Sequence, residues 1–289
     1  MTNILITGAT GNIGSEVIQF LMEKETGLDV IAAVRDIQKS EKAFSGNEQL
    51  KFVKFDFEEK ETFKAAFTSI DILFLLRPPQ LADVDRYFDP LLKEAKEAGI
   101  NKIVFLSVQG AELSKVIPHN KIERLIKSYG FEYIFVRPSY FMQNLTTTLL
   151  PEIKKDHRIT LPSGNAKFNW VDVVSIGEAS AVLISRFEEF KNKAFEITGN
   201  ENLNFKAVTE LMSDVLDRKI EFISLNPVSF YFKKKKQGTP SDFALVMTML
   251  HFLPRIQGEP TISDAFFQLT GKQPSTLKEF LEREKAVLT

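Results

Sequence analysis

Asn3-Ile-Leu-Ile-Thr-Gly-Ala-Thr-Gly-Asn-Ile-Gly14 is a short apolar run followed by glycines at positions 8, 11 and 14. Ile13, Val17, Ile18 and Leu21 then fall at a spacing that lines one face of a helix. A strand that turns through glycines into a helix is the context in which a Gly-x-x-Gly-x-x-Gly stretch signals a dinucleotide. Gly8 takes the tight turn, Gly11 lets the backbone approach a pyrophosphate, and Gly14 lets the helix pack close to the sheet. The free N–H groups and dipole of the helix start favour the phosphates, with Thr10, Asn12 and Ile13 at the same turn.

Working outward, apolar runs of strand length recur at Asn3–Thr7, Asp29–Val34, Lys51–Phe55, Ile70–Leu76, Lys102–Leu106 and Tyr133–Val136. Most are continuous rather than alternating, as strands buried on both faces are. Asp89-Pro90 reads as the cap and first residue of a helix that stops at Gly99. Strand and helix repeated this way predict an α/β fold, a Rossmann doubly wound parallel sheet. After about Asn144 the rhythm loosens. Val171–Ser185 reads as a helix with a capping box at Ser175 and Glu178, Ala194–Thr198 as a last strand, and Lys219–Leu225 as one strand in a mostly helical remainder. The expected division is a Rossmann domain over 1–144, completed by about 171–199, and a smaller, mainly helical C-terminal lobe formed by 145–170 and 200–289.

Composition narrows the function. Lys plus Arg number 37 against 38 Asp plus Glu, so no overall field attracts polyanions, and nucleic acid is not the expected partner. The chain has no cysteine, which removes disulfides, thiolate zinc sites and a Cys nucleophile and fits a reducing, cytoplasmic setting. His119, His157 and His251 are too far apart in sequence to form a spaced ligand pair, so no metal is expected. No apolar run approaches the length that spans a bilayer, so no membrane is expected either.

The end of the second strand is where an acid would grip a ribose 2′-hydroxyl. Arg35 stands there, followed by Asp36, and a guanidinium suits a 2′-phosphate better than a hydroxyl. NADP(H) is therefore preferred over NAD(H), with Asp36 keeping the other reading open. Asp56 and Phe57 close the third strand and are placed to meet the adenine, or serve as a strand terminator and a core residue. Leu76 and Arg77 end the fourth strand where the nicotinamide half should run, and Pro78 and Pro79 stiffen the loop beyond.

These stretches together resemble the NmrA-like branch of the short-chain dehydrogenases/reductases. The resemblance is carried by Gly8-Ala-Thr-Gly-Asn-Ile-Gly14, Val34-Arg-Asp36, Ser107-Val-Gln-Gly-Ala111, His119-Asn-Lys-Ile-Glu123 and Arg137-Pro-Ser-Tyr-Phe-Met-Gln-Asn144. It extends to Ile197-Thr-Gly199 and Leu269-Thr-Gly-Lys-Gln-Pro274. It implies a Rossmann fold, NADP(H) binding, and Ser107, Lys121 and Pro138 near the nicotinamide ribose. The wider superfamily uses a Tyr-x-x-x-Lys pair. Lys121 matches the lysine and is the candidate catalytic residue, but Ile117 holds the tyrosine's place and carries no proton. Tyr231 to Lys235 matches the spacing by coincidence, in the C-terminal lobe.

Without that tyrosine, reduction of a ketone to an alkoxide lacks its acid. A quinone instead yields a phenolate-type anion of pKa ~10, which water can protonate. The first reading is thus an NADPH-dependent reductase of a small, quinone-like acceptor. The alternative is a non-catalytic redox sensor that binds NADP(H), and a weaker one is a sugar-nucleotide epimerase-like enzyme, which should have kept the tyrosine. Candidates for the acceptor pocket are Gln109, His119, Tyr140, Phe141, Asn144 and Trp170. Phe141 and Trp170 equally suit a core. Lys233–Lys236 reads first as a solvated helix face, with a cover for a substrate entrance or a dock for an acidic partner as the alternatives. A homo-oligomer is compatible with all of this.

Overall fold

The computed structural model describes residues 2–23, 27–115 and 117–289. The chain runs β1 (Thr2–Ile6), α1 (Asn12–Glu23), β2 (Leu28–Val34), α2 (Ile37–Ala43), β3 (Lys51–Lys54), α3 (Phe63–Ala66), β4 (Ile72–Leu76), α4 (Val84–Glu97), β5 (Lys102–Leu106), α5 (Pro118–Ser128) and β6 (Glu132–Pro138). It continues through β7 (Tyr140–Phe141), α6 (Leu150–Asp156), β8 (Arg158–Leu161), β9 (Lys167–Val171), α7 (Val173–Ser185), α8 (Phe187–Phe190), β10 (Lys193–Ile197), β11 (Asn202–Asn204), α9 (Phe205–Leu216), β12 (Glu221–Ser224), α10 (Pro227–Lys236) and α11 (Ser241–Phe252). Short helices follow at Pro254–Gln257, Ala265–Thr270, Leu277–Arg283 and Lys285–Leu288.

Contacts divide this chain into two units. The first comprises Met1–Pro138, Val173–Ile197 and Ala265–Lys272, and the second Ser139–Asp172, Thr198–Asp264 and Gln273–Thr289.

In the first unit seven parallel strands form one sheet in the order β10-β6-β5-β4-β1-β2-β3. The order reverses between β1 and β4, which is the switch point of a doubly wound sheet and the place where such folds bind ligands. β1 is held in register on both sides, Ile4 opposite Val30 and Leu5 opposite Leu73. Alternate residues of the strands feed two cores. Leu5, Leu73, Leu75, Phe105 and Phe135 meet Phe88 and Leu92 of α4 and Ile122 and Ile126 of α5. α1 packs against α7, where Gly177 permits the approach: a Cβ there would collide with the Cβ of Glu16.

Two helix starts differ from the sequence reading. α4 begins at Val84, capped by Asp83, whose side chain accepts from the Arg86 N–H, and Pro90 lies inside the helix. The buried stripe Val84, Phe88, Leu91, Leu92 and Ala95 sets the helix start, and the proline is absorbed. α7 begins at Val173, so Ser175 is buried within its first turn and Glu178 pairs instead with Lys272 at 2.7 Å.

The second unit is less purely helical than its sequence suggested. It holds a three-stranded sheet, β11-β9-β7, and a parallel pair, β12-β8. Its core gathers Met142, Phe168, Trp170, Phe205, Phe230 and Phe280. Among the described residues no helix is long and apolar enough to cross a membrane.

Candidate functional site

The glycine turn sits at the C-terminal end of β1. Gly8 adopts φ +63°, a left-handed conformation that glycine takes without a Cβ penalty. The Gly11 N–H closes the turn onto the Gly8 carbonyl at 2.9 Å. A Cβ on Gly14 would run into that same carbonyl oxygen, with the Gly8 carbonyl carbon 2.8 Å and Ala9 Cα 3.0 Å away. Closing the turn this tightly starts α1 at Asn12 directly behind the strand. Thr10, Gly11 and Asn12 are exposed on the turn, and Ile13 is buried beneath it. An exposed helix start of this kind is one that accepts phosphate oxygens, so the residues present fit a dinucleotide.

Thr7 locks the neighbouring strand end. Its hydroxyl donates to the Phe74 carbonyl at 3.0 Å and accepts from the Leu76 N–H at 2.8 Å. Leu76 then packs on Gly8, its Cδ2 lying 3.1 Å from where a Cβ would be. Arg35 follows β2 directly and is exposed. Asp36 caps α2, accepting from the Lys39 N–H at 3.0 Å. Asp56 accepts from the Glu58 N–H at 3.0 Å, while Phe57 is buried against Phe55 and Phe88 at centroid distances of 4.9 and 5.6 Å.

Arg77 turns inward. Its guanidinium donates to the carbonyls of Pro78, Pro79 and Leu81 at 3.0–3.1 Å, and its Nε lies 3.4 Å from His119 Nε2. Burial lowers its pKa to about 10. His119 is pushed down to about 3, first by burial and then by the Arg77 charge, so it is a neutral acceptor at pH 7. The pair ties the loop after β4 to the first turn of α5.

The same helix carries Lys121, exposed and without a carboxylate partner among the described residues. Ile117 caps α5 in an extended conformation ahead of Pro118. Behind Lys121 lies a buried charge network. Ser107 donates to Glu123 Oε1 at 2.6 Å, and Arg137 grips Glu123 through Nε at 2.9 Å and Nη2 at 2.7 Å. Arg137 also pairs with Glu112. Glu123 and Arg137 are 3% and 9% exposed, so each charge depends on the other for compensation. Gln109 donates to Glu196 Oε2 at 3.0 Å, and its N–H donates to the carbonyl of Pro138. The sequence reading missed Glu123, Arg137 and Glu196. A buried-position Glu followed by Arg-Pro at a strand end was the available signal, but the pairing needs the fold.

Tyr140, Phe141, Asn144 and Trp170 belong to the second unit. Trp170 is fully buried, its indole N–H donating to the Leu203 carbonyl at 3.1 Å. Tyr140 packs edge-on against it at 4.9 Å. The Tyr140 hydroxyl lies 2.9 Å from His251 Nε2, and His251 Nδ1 lies 2.7 Å from the Met247 carbonyl. A carbonyl only accepts, so Nδ1 carries the proton and Nε2 takes the tyrosine's. Burial raises the Tyr140 pKa and lowers that of His251 to about 4. Phe141 pairs with Val171 across β7 and β9, and Asn144 is half-buried at the end of the following turn.

The NmrA-like family matches residues 1–281. The chain is a member of the NmrA-like family. Within reach of this NmrA-like chain are prestalk A differentiation protein A of Dictyostelium discoideum, 26% identical over 96% of this chain and 91% of that protein, and the NAD(P)H azoreductase of Xenophilus azovorans, 26% identical over 98% of each. Among solved structures, triphenylmethane reductase of Citrobacter sp. in complex with NADP(H) superposes with a TM-score of 0.83 at 23% identity, over 98% of this chain and 99% of that one. The NADPH complex of the Escherichia coli NADPH-dependent quinone oxidoreductase gives 0.81 at 19%, over 97% and 99%. At these identities the structures establish the fold.

Proposed function

We propose that this NmrA-like protein is an NADPH-preferring reductase that passes hydride directly to a small, flat, conjugated acceptor of the quinone type. The observation that carries the acceptor class is the absence, among the described residues, of a ready proton donor beside Lys121. Ile117 stands where a tyrosine would, and the Ser107 proton is committed to Glu123 at 2.6 Å. An acceptor whose reduced anion water can protonate needs neither. The names of the azoreductase, dye reductase and quinone oxidoreductase relatives support the same class, since all denote conjugated acceptors.

The turn at Gly8, Gly11 and Gly14 would hold the pyrophosphate, and Thr10, Asn12 and Ile13 line it. Arg35 would face the 2′-phosphate, a reading favoured because Asp36 is occupied in capping α2. Leu76 and Arg77 would border the nicotinamide half, with Ser107 and Pro138 behind it, and Asp56 would meet the adenine. When bound, the dihydronicotinamide supplies the hydride. Lys121 would hold the ribose hydroxyls and orient that ring, a contribution of positioning rather than proton transfer. Gln109 and His119 would present polar groups to the acceptor; neutral His119, its Nε2 already accepting from Arg77, would offer the Nδ1 N–H as a hydrogen-bond donor rather than act as an acid.

Paired titrations with NADPH and NADH, followed by nicotinamide fluorescence and then a panel of quinones, test this. Tight NADPH binding with rapid loss of signal on quinone addition is expected. Tight binding with no oxidation by any quinone refutes turnover and leaves a sensor; no binding of either nucleotide removes the site altogether.

A further inference from the structure

Of the twelve large apolar side chains that stand exposed among the described residues, eight fall between Val228 and Ile256. They concentrate on α10, α11 and the turn beyond, all in the second unit. α11 is apolar on both faces. Ala244, Met247, Thr248 and His251 are buried, while Leu245, Val246, Met249 and Leu250 occupy the opposite arc at 38–54% exposure. A helix apolar all round is ordinarily covered on all sides. On α10, Val228, Phe232 and Lys236 share one exposed stripe at spacings of four.

Charge concentrates in the same stretch of sequence. Residues 227–257 carry five cations, Lys233–Lys236 and Arg255, against the single acid Asp242, in a chain whose net charge is −1. Lys233 is neutralised by Glu152 at 2.6 Å. Lys235 reaches only the Ser241 hydroxyl at 2.7 Å, and neither it nor Lys236 has a carboxylate partner among the described residues.

We propose that the α10–α11 hairpin docks on an anionic lipid surface, with Leu245, Val246, Met249, Leu250 and Phe232 entering the headgroup boundary and Lys235 and Lys236 on the lipid phosphates. Exposed aliphatic side chains beside a lysine cluster are the makings of an interfacial element. Lysine stems cover apolar surface while their ammonium groups stay hydrated. A protein partner is less well matched, because the cores of protein interfaces are depleted in lysine. The proposal stands apart from the reductase reading, since vesicle binding is measured without turnover.

The test is flotation of the full chain with vesicles of phosphatidylcholine alone and of phosphatidylcholine with phosphatidylglycerol, alongside light scattering for its oligomeric state. Binding about tenfold or more tighter to the anionic vesicles is expected. Lys235→Gln with Lys236→Gln should remove most of that preference. Leu245→Asp with Leu250→Asp should abolish binding to either vesicle, with circular-dichroism melting preserved because both side chains are already exposed. No binding by the wild type, or equal binding to both vesicles, overturns the proposal. A wild-type dimer that the aspartate variant dissociates, with no vesicle binding, also overturns it and assigns the face to a second copy of the chain.

Discussion

Replacing Gly14 with alanine adds one methyl group at the closest backbone approach in the glycine turn. The new Cβ would meet the Gly8 carbonyl oxygen head-on and lie 2.8 Å from its carbon, against an ordinary contact of 3.4 Å or more. All three nearest atoms are backbone, so no side chain can rotate away, and the turn must open by about 0.6 Å or more, the order of displacement that degrades binding geometry. Two effects on stability oppose each other. Overpacking costs ~1–3 kcal/mol, while alanine gains ~1 kcal/mol over glycine within a helix. The net fall in unfolding free energy is then modest, ~1 kcal/mol, a few degrees of melting temperature. Binding should suffer more, because the same movement tilts the start of α1 away from the pyrophosphate. NADPH affinity should fall by about a hundredfold. Fluorescence titration reads the affinity and a thermal melt reads the fold. If the alanine variant keeps its melting temperature and binds NADPH as tightly as the parent, the turn does not set the phosphate site and the reasoning from Gly14 is wrong.

Arg35→Asp should weaken NADPH by about thirtyfold, equivalent to the ~2 kcal/mol of a charge-assisted hydrogen bond, and should narrow or invert the gap to NADH; unchanged titrations with both nucleotides would show that Arg35 does not select. Lys121→Ala should cut kcat/KM with a quinone about tenfold or more while leaving the melt intact, since the ammonium is exposed and has no carboxylate partner among the described residues; equal turnover removes its role. Glu123→Ala strips the main partner from buried Arg137 and should cost ~3–5 kcal/mol in urea unfolding; a loss below ~1 kcal/mol would mean the network is solvated. The two buried histidines set a pH dependence. His119 and His251 titrate near 3 and 4 in the folded chain, below the ordinary ~6.5. Between those values the unfolded chain binds more protons, so stability is complete above pH ~6.5 and falls as the pH drops towards the folded values. Each histidine should contribute a loss of ~2 kcal/mol between pH 7 and 5. Urea unfolding of His251→Asn should show a shallower slope over that range, and an unaltered slope would mean the buried ring takes no part.

What the sequence made legible was whatever depends on neighbours along the chain. β1, the glycine turn and α1 occupy successive residues, so spacing alone fixed their order and the role of Gly8. Continuous apolar runs identified the parallel strands because both sheet faces are covered. In the second unit the strand expected at Lys219–Leu225 is β12, but its partner β8 and the strand β9 escaped for the opposite reason. β8 and β9 are four and five residues long and pair with β12 and β11, strands that lie more than thirty residues away. Asp89-Pro90 misled because a proline can sit inside a helix once the buried stripe beginning at Val84 has fixed its axis. The candidate site divides in the same way. Lys121 and Ile117 were singled out because they stand at the positions of the superfamily's Tyr-x-x-x-Lys pair. The state of the Ser107 proton was not legible, because it is decided by Glu123, sixteen residues on in α5, which Arg137 grips from β6. A hydroxyl has one proton to give. With that proton held by a buried carboxylate, Ser107 meets any ligand as an acceptor, so it suits a ribose or amide donor and not a developing oxyanion. The hydrogen-bonding role left to Ser107 is therefore set by Glu123 and, through it, by Arg137.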